Sequence, residues 1–439
     1  MKKLLLIYLF SPVLLVAQRN HKEIIENYMK AEEKVNAFSG TVLVSSSDKV
    51  IYSKAFGLAD RELSVKNALQ TKFQIGSLTK QFTACCILQL AEKGKLSLED
   101  KLSLYFPEFP KADSVTIHML LSHTSGIKNY TNLPEFGVLM ALQLSKDSIV
   151  ALIKKQSYDF SPGAKWAYSN SGYFLLGYII EKVSAESYSE YVQNNVISKA
   201  GLKNTFVNRW DSILTNRAKG YYRTSTGWHN SSFVSMEFSY SASSIISTAE
   251  DLFKWNRALF GGKIISPSSF KKMINPNFEH YGYGIVTDTF RQHLRTWHRG
   301  HMPGFASYLC NFPIDSVVIV VLSNNESNSP RIANALAAII FDIPVATSYI
   351  HTEVKLNPNV FDKYVGKYIL ASGDEIEIAK KGDKLYDIVS DIELKAESKV
   401  KFFYTDGSDR QIEFAKDKFG KIKNIVFIDE GIKELMKRL

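Results

Sequence analysis

Ser77 and Lys80 stand three residues apart in Gly76-Ser-Leu-Thr-Lys80, at the head of a long apolar segment. On a helix that spacing puts both side chains on one face, one turn apart. A serine hydroxyl attacks a carbonyl only when something removes its proton, and a lysine at this distance is a candidate base. Ser-x-x-Lys recurs at Ser46, Ser125, Ser268, Ser269 and Ser398, so context must choose among them. Ser46 falls in a hairpin turn, Ser125 in a glycine-containing loop, Ser268 and Ser269 beside Pro267, and Ser398 in a late β-rich stretch. Ser77 alone starts a helix that reads as buried. Its N–H there lacks an intrahelical partner and is available to a developing oxyanion. Apolar neighbours would lower the pKa of Lys80. The competing reading of the tetrapeptide is an ordinary helix cap with a solvated lysine.

Two further motifs favour the chemical reading. Pro162-Gly-Ala-Lys-Trp-Ala-Tyr168-Ser-Asn170 places Tyr-x-Asn at the entrance to an apolar helix. A phenol there can relay a proton between serine and leaving group, and the Asn170 amide can hold a substrate carbonyl. The same tripeptide pattern occurs at Tyr130-Thr-Asn132, where it reads as a chance recurrence. Trp297-His298-Arg-Gly300-His301-Met-Pro-Gly304 ends one strand just before a tight return. A strand edge at that point offers the His301 N–H as a second oxyanion donor, with His298 near the serine. Taken alone it also fits a hairpin with exposed histidines.

The elements that must position these groups are legible in outline. Residues 22–37 predict a helix leading into a hairpin of 40–44 and 50–56. Residues 81–93 predict a helix apolar on nearly every side, stopped by Gly94. Helices are expected at 147–155, 171–183 and 330–341, and strands at 281–287, 292–298, 305–312 and 317–323. Strands at both ends with helices between imply an α+β fold: an antiparallel β-sheet flanked by helices, with a mostly helical insertion. Residues 346–358 read as a linker. Beyond them, five short β-like runs separated by glycine turns predict a small β-sheet or β-barrel domain over 359–439, ending in a short helix at 432–438.

The N-terminus reads Lys2-Lys3, then an uncharged run from Leu4 to Ala17 broken only by Ser11-Pro12. That is the pattern of a cleaved export signal over 1–17, which predicts a periplasmic or extracellular protein. The main domain is then expected over 18–345. No second run is long enough to span a membrane. Three cysteines in 439 residues make no disulfide framework, and all three read as buried small hydrophobes. Net charge is +10, but no run of basic residues interleaves with aromatics, which argues against nucleic-acid binding. His298 with His301, and His118 with His123, lack the spacing and carboxylate companion of a zinc site, so no metal or other cofactor is expected. No glycine pair brackets a serine as an α/β-hydrolase elbow requires. The expected partner is a small-molecule or peptide substrate, with cell-wall-derived material among the candidates.

The order Ser-x-x-Lys, Tyr-x-Asn, His-x-Gly resembles the serine β-lactamase and penicillin-binding superfamily, in its class C-like branch. The wording around the motifs is similar too: Phe73-Gln-Ile-Gly-Ser-Leu-Thr-Lys-Gln-Phe82, Leu120-Leu-Ser-His-Thr-Ser-Gly126, Tyr168-Ser-Asn-Ser-Gly172 and Ser247-Thr-Ala-Glu-Asp-Leu-Phe-Lys-Trp255. The resemblance implies Ser77 as the acylated nucleophile and Lys80 with Tyr168 as a proton-transfer pair. It implies Asn170, His298, Gly300 and His301 in substrate binding, with the Ser77 and His301 N–H groups forming the oxyanion hole. His298 stands where class C lactamases carry lysine, which weakens recognition of a substrate carboxylate and lowers the expected β-lactamase activity. His301 stands where a smaller residue is usual. The activity implied is that of a D,D-peptidase, D-aminopeptidase or esterase, with a true β-lactamase and a non-catalytic cell-wall binding protein as alternatives. Reference pKa values of about 10 for tyrosine and about 10.4 for lysine do not separate the two candidate bases, which are expected to share the proton.

Overall fold

In the computed structural model the described residues are 20–439 apart from 36, 210, 225, 371–372, 407–409 and 430. The segment read as an export signal lies outside them. Val317–Ser323 is apolar almost throughout and buried at every position, which a strand tolerates when both faces of its sheet are covered. The sheet is built from β1 (Gly40–Ser46), β2 (Lys49–Phe56), β3 (Val286–Phe290), β4 (His293–Met302), β5 (Phe305–Phe312) and β6 (Val317–Ser323). Its order is β3-β4-β5-β6-β1-β2, with every neighbouring pair antiparallel. The early hairpin thus completes the sheet formed by the late strands, with Gly40 opposite Ser323 and Ser45 opposite Val318.

Alternation along these strands feeds two cores. Leu43, Leu309, Val318, Val320 and Leu322 join one with the helical insertion, in which α2 (Thr79–Glu92), α3 (Asn170–Ser184), α4 (Met236–Ser243) and α5 (Ala249–Phe260) take part. Val42, Val44, Tyr308, Cys310, Ile319 and Val321 join the other with α1 (His21–Lys34) and α6 (Ser329–Ile340). α2 is buried from Thr79 to Leu90, so it runs through the middle of the domain.

Two expectations fail locally. The first strand of the late group lies at Val286–Phe290 and not at 281–287. Gly284 has φ +70°, Tyr281 is turned towards His298, and the reversal comes at Arg291 and Gln292, both at positive φ without a glycine to mark them. The predicted C-terminal helix is a strand, Ile432–Arg438. Its Lys, Glu, Leu and Met residues favour helix locally, but the segment pairs with a strand on each side and closes a barrel.

That barrel has eight antiparallel strands: β7 (Gly366–Ile369), β8 (Glu375–Lys381), β9 (Lys384–Asp387), β10 (Ile392–Ala396), β11 (Lys401–Tyr404), β12 (Gln411–Lys416), β13 (Ile422–Asp429) and β14 (Ile432–Arg438). Tyr364, Tyr368, Phe402, Tyr404 and Phe414 fill its interior. It docks on the side of the sheet that carries α1 and α6: Ile432 enters their core, Lys433 N–H donates to the Pro344 carbonyl at 3.1 Å, and Glu434 pairs with Arg291.

Candidate active site

β3 pairs with β4 only as far as Trp297, so the edge from His298 to Met302 has no strand beside it. The turn Ile75-Gly76-Ser77 packs against β4 at Gly300 and His301. A Cβ on Gly300 would lie 1.9 Å from the Ile75 carbonyl oxygen and 2.4 Å from Ser307 Oγ, so only glycine lets turn and strand approach this closely. Gly76 has φ +53°, and a Cβ there would lie 2.7 Å from the His301 nitrogen. Ser307 Oγ locks the contact by donating to the Ile75 carbonyl at 2.7 Å. The outcome is a half-buried Ser77 in a short 3-10 turn, Gly76–Leu78, leading into α2, with the His301 N–H close by.

Lys80 is fully buried one turn into the chain direction, and its Nζ reaches three oxygens: Asn170 Oδ1 at 2.7 Å, the Ala242 carbonyl at 3.0 Å and Ser77 Oγ at 3.1 Å. The Ala242 carbonyl is free for this because it lies in the last turn of α4, which is kinked at Tyr240. An amide oxygen and a carbonyl can only accept, whereas the serine hydroxyl can donate or accept. A neutral Lys80 therefore satisfies both of its N–H groups on Asn170 and Ala242 and leaves its lone pair for the Ser77 proton. Burial pushes the Lys80 pKa well below the usual lysine value, in the direction of that neutral form.

Tyr168 forms part of the cleft wall, with its ring 4.8 Å from Lys80 Nζ. Burial raises its phenol pKa, against the Ser77 hydroxyl and the Arg299 charge, which favour the ionised form. His123 holds the Tyr168 segment: its carbonyl accepts the Ala167 N–H at 3.0 Å, its Nδ1 accepts the Ser169 N–H at 3.1 Å, and its ring lies 4.4 Å from that of Tyr168. Since Nδ1 accepts, the neutral ring carries its proton on Nε2, which has no partner among the described residues. Burial keeps the His123 pKa well below the ordinary histidine value. Asn170 is the first residue of α3 rather than its cap. Asn129 Oδ1 accepts its backbone N–H at 3.0 Å, and its side-chain nitrogen donates to Thr131 Oγ1 at 2.9 Å.

His298 is buried beneath the strand edge. Its Nδ1 faces the Arg299 carbonyl at 2.7 Å, an acceptor, so Nδ1 carries the proton. Nε2 then accepts from the Tyr281 hydroxyl at 2.9 Å. Burial lowers the His298 pKa to about 3, which leaves the imidazole uncharged at neutral pH. Ser77, Tyr168, Asn170, His298, Arg299 and His301 line one cleft of about 650 Å³. The described lining residues run from Ser77 to Pro303, so none belongs to the barrel.

Of the residues that the family resemblance implied, Ser77, Tyr168, Asn170, His298 and His301 line the cleft, Lys80 is buried against Ser77, and Gly300 is the contact point of the Ser77 turn. Several partners escaped sequence reading. Tyr130 and Thr131, set aside as a chance Tyr-x-Asn, line the cleft, and Thr131 anchors Asn170. Their proximity to Ser125-Gly126 gave no spacing signal. Tyr281 was assigned to a strand and instead serves His298. His123 sits at φ +61°, a backbone state that periodicity does not reveal.

A serine at a glycine turn, a buried lysine one turn on and a sheet edge beside them define a serine hydrolase with the β-lactamase/transpeptidase-like fold. The Beta-lactamase family model matches residues 22–341, and the chain belongs to that family. It is 33% identical over 317 residues to the "Putative penicillin-binding protein PbpX" of Bacillus subtilis (strain 168), covering 72% of this chain and 76% of that one. Among solved structures, a penicillin binding protein from Bacillus halodurans is 28% identical with TM-score 0.63, over 72% of this chain and 99% of that one. A D-amino acid amidase from Ochrobactrum anthropi shares the fold, at 20% identity and TM-score 0.65, over 74% of this chain and 98% of that one.

Proposed function

We propose that this protein is an exported acyl-enzyme hydrolase of D-peptidase or short-acyl-ester type, with weak or no β-lactam turnover. The observation that carries the reading is the set of partners around Lys80. Its two acceptor-only contacts leave one direction free, and Ser77 Oγ lies in it at 3.1 Å. Ordinary pKa values leave lysine and tyrosine nearly tied as bases, but burial moves them apart, Lys80 downward and Tyr168 upward. Lys80 therefore takes the Ser77 proton as Oγ bonds to the carbonyl carbon, and the resulting ammonium finds three acceptors already in place. The Ser77 and His301 N–H groups receive the oxyanion. Tyr168, still protonated, hands its proton to the leaving nitrogen or oxygen as that bond breaks and recovers one from Lys80. Water then hydrolyses the acyl-enzyme by the reverse proton path. A neutral His298 in place of a charged lysine supports weak β-lactam turnover. The names of the penicillin-binding relatives and of the D-amino acid amidase support D-configured peptides or amides as substrates, and the basic, apolar N-terminus supports export.

The test is covalent labelling by a fluorophosphonate, read by intact mass and peptide mapping. Wild type is expected to carry one adduct, on Ser77. Lys80→Met is expected to slow labelling by about a thousandfold or more, and Tyr168→Phe to slow amide turnover by roughly 10²–10⁴-fold but activated esters less, since their leaving groups need no proton. Labelling of Lys80→Met at the wild-type rate would remove the lysine from its role. A folded wild type with no adduct would leave a binding protein on a hydrolase scaffold.

A further inference from the structure

A second cavity, of about 300 Å³, lies between the last turns of α5 and the turn that joins β5 to β6. It shares no described lining residue with the cleft at Ser77. Asn311 on β5 follows Ser307 by four residues, so it stands about 13 Å along the strand from the contact with the Ser77 turn. Its register partner on β6 is Val318, and the two side chains share one face of the sheet. Asn256 lines the cavity from the helix. Both asparagines are only 5% exposed. No described residue hydrogen-bonds either side-chain amide; Thr296 Oγ1 donates to Asn311 at 3.5 Å, but to its backbone carbonyl. An amide buried without a partner destabilises a fold, and two on one small cavity call for an occupant that both donates and accepts. One or two waters, at about 30 Å³ each, would meet that need, and the space is severalfold larger.

The rest of the lining narrows the chemistry of that occupant. Arg257 is the one charged residue among the described lining, and Asp48 pairs with it, so the cavity offers no uncompensated charge to an ion. The backbone at Asn311 is paired on both sides, with β4 and with β6, so no strand edge is open to an extended peptide. Phe260 and Val318 supply apolar surface, and Ser316 adds a hydroxyl. These features match a compact neutral ring that carries adjacent hydroxyls on its rim and C–H groups on its faces. We infer that this cavity is a binding site for a neutral sugar ring, held by the Asn256 and Asn311 amides and separate from the cleft at Ser77. Each planar amide faces two neighbouring hydroxyls, its oxygen accepting from one and its nitrogen donating to the other. Two unpaired amides in the free protein then mark a surface kept for a ligand at the expense of stability. The site needs no acylation of Ser77.

The experiment uses the full chain with D-glucose, N-acetyl-D-glucosamine, D-glucuronate and N-acetylglycine N-methylamide as probes, read by ligand-observed NMR and by hydrogen–deuterium exchange. The neutral sugars are expected to bind with Kd of about 0.1–10 mM and the charged sugar no more tightly. The peptide amide is expected to bind at least about tenfold more weakly. Bound sugar is expected to slow exchange over 256–261 and 313–316 and to leave 297–303 unchanged. Asn256→Leu and Asn311→Leu are each expected to weaken binding by about tenfold or more. Their Tm should be unchanged or raised, since an apolar side chain of similar size removes an unpaired amide and has the cavity beside it for room. No binding by either neutral sugar would leave water as the occupant and overturn the inference. Tighter binding of glucuronate, a peptide amide that binds as well as the sugars, protection confined to 297–303, or variants that bind sugar as wild type does would each overturn it too. So would a fall in Tm of more than about 5 °C in both variants, which would mean that the amides have partners in the fold.

Discussion

Gly300→Ala tests whether the contact between the Ser77 turn and the edge of β4 is what builds the oxyanion site. The added methyl would lie 1.9 Å from the Ile75 carbonyl oxygen and 2.4 Å from Ser307 Oγ. A carbon normally rests about 3.3 Å from such an oxygen, so turn and strand must part by roughly 1.4 Å. The carbonyl cannot simply swing aside, because Ser307 Oγ holds it at 2.7 Å. The two N–H groups proposed for the oxyanion sit on opposite sides of that seam, one on Ser77 and one on His301, so they separate by a similar distance. A misplacement near 1 Å costs about 10²-fold, and loss of one oxyanion donor about 10²–10³-fold. Acylation is expected to fall by roughly 100- to 1,000-fold. Overpacking at such a site costs about 1–3 kcal/mol, which for a domain of this size lowers Tm by roughly 1–5 °C and leaves the protein folded at 25 °C. The assay is the stopped-flow burst with an activated acyl ester, beside thermal unfolding followed by circular dichroism. Gly137→Ala is the control, since a Cβ there meets nothing within 4 Å. A folded Gly300→Ala protein that acylates within threefold of wild type would refute this account of the site.

Two other expectations concern buried titratable groups. His298 should remain a neutral, Nδ1-protonated imidazole from neutral pH down to about pH 4, as read by nitrogen NMR of labelled histidine, because its pKa is lowered from 6.5 to about 3. Between those values the unfolded chain binds a proton that the folded chain refuses, so stability present above pH 6.5 is lost as pH falls towards 3; His298→Gln should flatten that loss. Cys85, Cys86 and Cys310 are buried, and burial raises their thiol pKa values, that of Cys310 to about 12. A disulfide reagent should find no thiol in the native protein within minutes and three after unfolding in guanidinium; prompt reaction of the native protein would contradict the packing around α2.

Much of this was legible because it depends on local pattern. Val317–Ser323 announces a doubly covered strand by its unbroken apolar run, and Gln81–Leu90 announces a central helix by having almost no polar side. The three motifs were findable because each sits at the end of an element, where backbone groups are unpaired. What escaped was fixed by tertiary contact. Ile432–Arg438 is a strand because two neighbours need a partner, whatever its residues prefer alone. His123 holds the residues on either side of Tyr168, Tyr281 serves His298 and Thr131 anchors Asn170, through one or two hydrogen bonds each that leave no periodic trace. The proposed choice of Lys80 over Tyr168 as base rests on burial, since their isolated chemistry is nearly the same.

The pairing of β1 with β6 bears on how the chain comes into being. Ser45 and Val318, hydrogen-bonded across that pair, are separated by 273 residues. During synthesis β1 emerges early and has no partner on its β6 side until Ser323 has been made. Contacts of such long range slow folding, because the intervening loop must be closed before they form. A nascent chain that lacks its finished sheet offers little resistance to being threaded through a narrow channel. The same topology that seats the Ser77 turn against β4 therefore delays enzyme formation until nearly the whole hydrolase domain has been made, a schedule that fits the export proposed above.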